Sequence, residues 1–325
     1  MQPNSQCATE NICRPSLSDQ LQLISSDCTQ CQRCVVECQF LKNYGDPKKI
    51  ADNYNPDSKL SCELAFECSL CGLCTAVCPH NIDPVPLFLE MRRESVVRGV
   101  ADFHEHKGLI AYEQKGTSKR FSWYALPRGC DTIFFPGCGL PGTRPEQTLK
   151  TIELLQQQYS SIGVVLDCCT KPSHDLGKQD YFSAMFGEMK DYLVSKGIKT
   201  VLVACPNCGL VFRNYAPEFE TRSVYSCLDQ GSLPETGSVI ATINVHDPCV
   251  ARFDDSVQDS VRSLLKKKGL RVEETRHHRR TTLCCGEGGA VGCISPELAQ
   301  RWTKKRAKES ASRTLTYCTG CSNYL

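Results

Sequence analysis

The chain has 325 residues, 41% of them hydrophobic, which is enough for two or three compact domains with ordinary cores. A formal net charge of +2 gives no basis for wrapping nucleic acid or an acidic membrane surface. Its 24 cysteines would spell a disulfide framework in a small secreted protein, but residues 1–27 show no basic start followed by an apolar run, and no stretch approaches ~18 apolar residues, so metal-bound thiolates in a reducing cytoplasm are the expectation.

Residues 1–26 read as a polar lead-in, with Cys7 and Cys13 as isolated thiols. Next, Cys28-x-x-Cys31-x-x-Cys34-x-x-x-Cys38 is followed by Cys68-x-x-Cys71-x-x-Cys74-x-x-x-Cys78-Pro79. This is the spacing that binds two [4Fe–4S] cubanes in bacterial-type ferredoxins. Three thiolates at two-residue intervals wrap three corners of one cubane, and the fourth reaches the other cluster. The expected sets are therefore Cys28, Cys31, Cys34 and Cys78 for one cluster, and Cys68, Cys71, Cys74 and Cys38 for the second. Zinc has no need of eight thiols in a doubled arrangement. Gln39 stands where the first motif usually carries proline, and Cys62 falls outside the pattern. The intervening 40–67 reads as helical, so 27–100 is expected to be a helical ferredoxin domain, of which a fragment of about residues 20–100 should load roughly eight irons by itself.

Residues 101–129 form a linker, in which His104 and His106 lack metal-spaced partners and read as solvated. Beyond it strands and helices alternate. Strands are expected at 132–135, 163–166 and 200–204, with helical stripes through Leu149, Ile152 and Leu155 and through Phe182, Phe186 and Leu193. The second half repeats the order with strands at 241–245, 270–273 and 313–317, a helix through Val257, Val261 and Leu265, and a basic helix around Leu298 and Trp302. The expected fold is α/β, with a domain at 130–235 and another at 236–325, each β-α-β-α-β around a small parallel sheet.

The remaining cysteines carry the repeat. Cys138, Cys168-Cys169 and Cys205-Pro206-Asn207-Cys208 recur, 111 to 116 residues on, as Cys249, Cys284-Cys285 and Cys318-Thr319-Gly320-Cys321. Most of these thiols directly follow a strand, and the carboxyl ends of parallel strands are where such sheets bind ligands. Adjacent side chains diverge, so a vicinal pair suits one tetrahedral zinc poorly but can grip separate irons of a polynuclear cluster. A strained disulfide is the alternative, yet it would need none of the flanking thiols. Gly137-x-Gly139-x-x-Gly142 matches a dinucleotide fingerprint, but its central cysteine belongs to the repeat, and its glycines are expected to bring backbone close to a cluster. Cys205-Pro206-Asn207-Cys208 also fits a thioredoxin-type redox pair, a reading its twin and partners disfavour. The basic run Arg276-His277-His278-Arg279-Arg280 is a solvated loop or a docking surface for an acidic partner. Cys130, Cys227 and Cys293 carry no pattern.

This doubled motif resembles the cysteine-rich CCG domain of the heterodisulfide reductase family. In that family, as in the iron–sulfur subunit of anaerobic glycerol-3-phosphate dehydrogenase, two ferredoxin motifs are followed by two CCG repeats on one chain. The resemblance implies one or two noncubane [4Fe–4S] clusters at the CCG sites, besides the two cubanes. It implies an electron-transfer subunit working between a flavoprotein dehydrogenase or a cytochrome b-type membrane subunit and those sites, with no membrane span of its own. The alternative is a catalytic subunit that cleaves a disulfide at Cys249, Cys284, Cys285, Cys318 and Cys321. The sequence departs from the pattern in two places. Thr170 replaces the glycine of the first CCG, which puts that site's cluster in doubt, and Cys321 lies four residues from the end, where an unsupported ligand is expected to be labile.

Overall fold

The computed structural model describes residues 13–232, 241–310 and 313–325, so Cys7 and the expected boundary at 235/236 lie outside the described residues. The lead-in is corrected over part of its length. Pro15–Asp27 is a helix with proline in its first turn, where a missing N–H costs nothing. Its Leu17 and Ile24 are fully buried in the ferredoxin core. Short helices follow at Arg33–Glu37, Leu41–Tyr44, Pro47–Asp52, Lys59–Leu64 and Leu73–Ala76, then the longer Val85–Val97. Asp46 caps one of them by accepting from the Lys49 amide at 2.9 Å. The 40–67 stretch is helical as expected.

The linker also differs from expectation. His106 is 3% exposed rather than solvated, and beyond the helix Lys107–Gly116, Trp123–Ala125 forms strand β1. Strand β1 pairs antiparallel with β3 (Gly163–Leu166), which lies beside β2 (Thr132–Phe135), β4 (Thr200–Val203) and a further strand β5 (Glu220–Ser223), all parallel. Alternation along these strands divides two apolar layers. Ile133, Phe135, Val201 and Val203 pack with Phe182, Phe186 and Leu193, whereas Phe134 and Leu202 pack with Leu155 and Val224. The second sheet has β6 (Ala241–His246) between β7 (Leu270–Glu273) and β8 (Thr314–Thr316), all parallel. Its order matches β3-β2-β4, so the sequence repeat is a structural repeat.

The three parts share their interiors. The ferredoxin core includes Leu283, Val291, Leu298 and Trp302 from the second repeat. Arg92 is fully buried. It donates to Ala65 O at 3.0 Å, Cys68 O at 2.6 Å, Asp175 O at 2.7 Å and Gly289 O at 2.9 Å, joining all three parts through backbone carbonyls. Arg252 likewise donates to Cys71 O at 3.0 Å, Arg280 O at 2.6 Å and Thr282 O at 2.7 Å. The basic run at 276–280 is largely tied within the chain. His277 faces Glu37 and Glu309, Arg279 pairs with Asp259 at 2.6 Å, and Arg280 lies over Phe253.

Candidate metal centres

The two ferredoxin loops have matched backbones. Gln30 and Gln32 in the first, and Leu70 and Gly72 in the second, all sit at positive φ, between 49° and 67°. Left-handed residues among ordinary ones turn successive amides inward, a concave arrangement suited to an anionic cluster, and non-glycine residues hold it only at a cost. Cys28, Cys31, Cys34 and Cys78 line one cavity together with His80 and Asp46. Cys38, Cys68, Cys71 and Cys74 line another, walled by Phe40, Phe88 and Trp302. Cys74 also reaches the first cavity. Each cavity thus gathers the four cysteines of one crossed set, with Cys74 bordering both. Cys31 is exposed, whereas Cys38, Cys68 and Cys74 are buried. Burial and neighbouring thiols push Cys34 and Cys38 up to about 12, and raise Cys68 and Cys74 as well. Four crowded thiols fit a multi-iron group, which would hold them as thiolates.

The cysteine-rich sites lie at the strand ends, as expected. In the first, Cys138 contacts Cys168, and the Cys208 and Cys169 sulfurs are 3.4 Å apart. Gly137, at φ +77°, has no room for a side chain, because a Cβ there would stand 3.0 Å from Cys208 Sγ; the glycine serves close approach to the thiols. In the second, Cys249 and Cys285 contact Cys284, and Cys321 contacts Cys285 and Cys318. Cys285, Cys318 and Cys321 form a small buried cluster of their own. The chain end is supported rather than loose. Cys321 is 3% exposed on the helix Thr319–Tyr324, and Arg144 of the first repeat donates to Ser322 Oγ at 2.9 Å.

The sites adjoin one another. Cys71 of the second ferredoxin cavity contacts Cys284, and Cys205 of the first repeat contacts Cys318 of the second. The thiols therefore form one file, from the exposed Cys31 through the second cavity and the second cysteine-rich site to the first. Where the repeats meet, a groove is lined by Arg144, Tyr225, Thr319, Cys205 and Cys318.

Several residues at these sites escaped the sequence reading. Lys171 and Glu287 each follow a vicinal pair by two positions and oppose each other in charge. Burial, the Cys205 thiol and the opposing Lys171 ammonium together leave the Glu287 carboxyl at about 7. Arg92 and Arg252 show no sequence signal, since the carbonyls they hold are distant in the chain. His246 is fully buried, and burial with Arg306 nearby keeps its imidazole neutral, at about 3. Matching the two repeats residue by residue would have exposed His246, because Phe135 holds its place in the first.

A family model for a 4Fe-4S dicluster domain matches residues 27–83, and one for a cysteine-rich CCG domain matches residues 132–213 and 243–325. The chain is similar to a subunit of the dihydromethanophenazine:CoB–CoM heterodisulfide reductase of Methanosarcina mazei, at 24% identity over 93% of this chain and 87% of that protein. It is 23% identical to a subunit of the fumarate reductase (CoM/CoB) of Methanothermobacter marburgensis, over 92% of this chain and 67% of that protein. It is also 23% identical to an uncharacterized iron-sulfur protein of Methanococcus maripaludis, and spans 66% of that protein's length. No solved structure matches the chain. No described helix is long and apolar enough to cross a membrane. The dicluster loops, the two thiol repeats and these likenesses together make the chain a member of the cysteine-rich CCG family, an iron–sulfur protein of the oxidoreductase class with an electron-transfer role.

Proposed function

We propose that the chain holds two [4Fe–4S] cubanes, on Cys28, Cys31, Cys34 and Cys78 and on Cys38, Cys68, Cys71 and Cys74, with noncubane [4Fe–4S] clusters on one or both cysteine-rich sites. Cys138, Cys168, Cys169, Cys205 and Cys208 would hold one, and Cys249, Cys284, Cys285, Cys318 and Cys321 the other. Bound clusters supply one-electron carriers. The chain works in the cytoplasm, or at the inner membrane face through a partner, between a flavoprotein dehydrogenase or cytochrome b-type subunit and its cysteine-rich sites.

The observation that carries this reading is the contact of Cys71 with Cys284, which sets a ferredoxin ligand against a cysteine-rich one. The exposed Cys31 marks where a partner's electrons enter, and Phe40, Phe88 and Trp302 keep water from the second cavity. Rapid-freeze EPR after mixing with a reduced low-potential donor tests it. In Cys74→Ala the cysteine-rich signals should be reduced far more slowly than in the wild type. Equal rates with the second cubane absent would sink the relay.

The groove between the repeats favours a second reading, disulfide reduction at the paired sites. Cys205 and Cys318 border it, and Arg144 offers a cation at its rim. The balance is RSSR′ + 2e⁻ + 2H⁺ → RSH + R′SH, with the electrons arriving along the same file of thiols.

A further inference from the structure

The two cysteine-rich sites have the same five thiols but not the same neighbours. Phe135 ends β2 and is paired in register with Val203, its ring buried in the apolar layer beside Phe212. His246 ends β6 in the equivalent register, paired with Thr316, and is fully buried. Its nearest strand neighbour Val245 faces the opposite, apolar layer. The His246 ring turns instead towards Cys285 and Cys321, and the three donor atoms lie within 4.8 Å of one another.

Among the described residues neither ring nitrogen of His246 has a hydrogen-bond partner. A buried polar atom left unpaired carries a desolvation penalty, and an imidazole has two such atoms. A histidine that merely filled space would offer no return for that cost, and the first repeat shows that phenylalanine fills the same place. Ring nitrogens beside two thiols, excluded from water, have the donor chemistry of an iron site, since imidazole and thiolate both bind iron and occur together on single clusters.

We propose that His246 is a sixth donor at the second cysteine-rich site, its imidazole nitrogen ligating an iron held also by Cys285 and Cys321. This rests on the reading that the second site binds a cluster. It makes the two repeats chemically unequal: the first offers five thiolates, the second five thiolates and a neutral nitrogen. A neutral donor adds no negative charge to the centre it joins.

The test uses the full chain loaded anaerobically, prepared with natural and with ¹⁵N-labelled histidine. Pulsed EPR on the cysteine-rich signal should show a strong nitrogen coupling that changes isotope with the label and disappears in His246→Phe, the residue the first repeat already tolerates. His246→Gln gives the same reading should the phenylalanine variant fold poorly. The cubane signals serve as an internal control; His80 lines only the first ferredoxin cavity, so its coupling belongs to a different signal. A cysteine-rich signal without histidine nitrogen coupling, with coupling no stronger than a backbone amide gives, or with coupling that survives in His246→Phe overturns the ligand while leaving the cluster reading intact. Absence of iron from the second site overturns both.

Discussion

The first and second cysteine-rich repeats share strand order and thiol order, and differ wherever a residue touches the thiols. After the vicinal pair the first has Thr170 and Lys171 where the second has Gly286 and Glu287. Both Thr170 and Gly286 sit at positive φ, +53° and +110°. Threonine is β-branched and pays for that conformation, and its hydroxyl is buried without a partner among the described residues. Before the lone cysteine, Pro136 of the first repeat is matched by Asp247, which binds Arg262 at 2.8 and 2.9 Å, the Arg279 amide at 2.7 Å and the Tyr317 hydroxyl at 3.0 Å. A buried polar hub centred on Asp247 therefore braces the ligand loops of the second repeat. A duplicated fold preserves what packing needs and lets site chemistry drift apart.

The widest break between the repeats should come at the vicinal pair. Cys285→Ser is expected to remove the second cysteine-rich cluster, about four irons, with both cubane signals unchanged. Cys284→Ser should do the same and also shift the second cubane's potential, because Cys284 contacts Cys71. Iron analysis and EPR redox titration of the two variants measure both effects, and identical cubane potentials in the pair would refute the contact's role.

A smaller effect isolates the hub. The Asp247 side chain is fully buried and Arg262 partly so, and Asp247→Asn should cost about 3 kcal/mol. Burial opposes ionisation of Asp247, but Arg262, the Arg279 amide and the Tyr317 hydroxyl win and hold its carboxyl below the usual range. The stability this contributes is fully present above the unfolded value of about 3.9 and is lost as pH falls through the lower folded value. The gap in urea midpoint between wild type and Asp247→Asn should accordingly be constant from pH 7 to about 4 and close below it.

The smallest pair has opposite signs. At Gly286 an added Cβ would stand 2.7 Å from Ala299 O, so Gly286→Ala should cost about 2 kcal/mol. Thr170→Gly releases the strained position and should stabilise by about 1 kcal/mol. Urea midpoints that move in the same direction would show that the two positions are not equivalent.

Much of this was legible in the sequence because its signals are local. Cysteine spacing records loop geometry, and a short β-branched and aromatic run such as Thr132 to Phe135 records a buried strand. What escaped depends on distant partners. Strand β1 is three residues long and exists only by pairing with Leu166, Val165 and Val164. Leu17 and Ile24 looked like part of a polar tail because their burial comes from other helices of the ferredoxin core. His106 carries no spacing signal, and its burial comes from Phe66 and Phe103. The expectation that about residues 20–100 would load alone meets the same limit, since such a fragment lacks Leu17, Leu298 and Trp302 from its core.

Trp302 also bears on how the protein matures. The ligands of the second ferredoxin cavity are complete once Cys74 has left the ribosome, but the cavity's indole wall is synthesised more than two hundred residues later. At about 5–20 residues per second, that leaves tens of seconds in which those four thiols stand open to solvent, oxidants and stray metals. The first ferredoxin set needs no such late wall and can be filled early. An assembly system delivering clusters to this chain has a brief opportunity at the inner set, and a chain that closes around Trp302 before delivery would shut that cavity with no cluster inside.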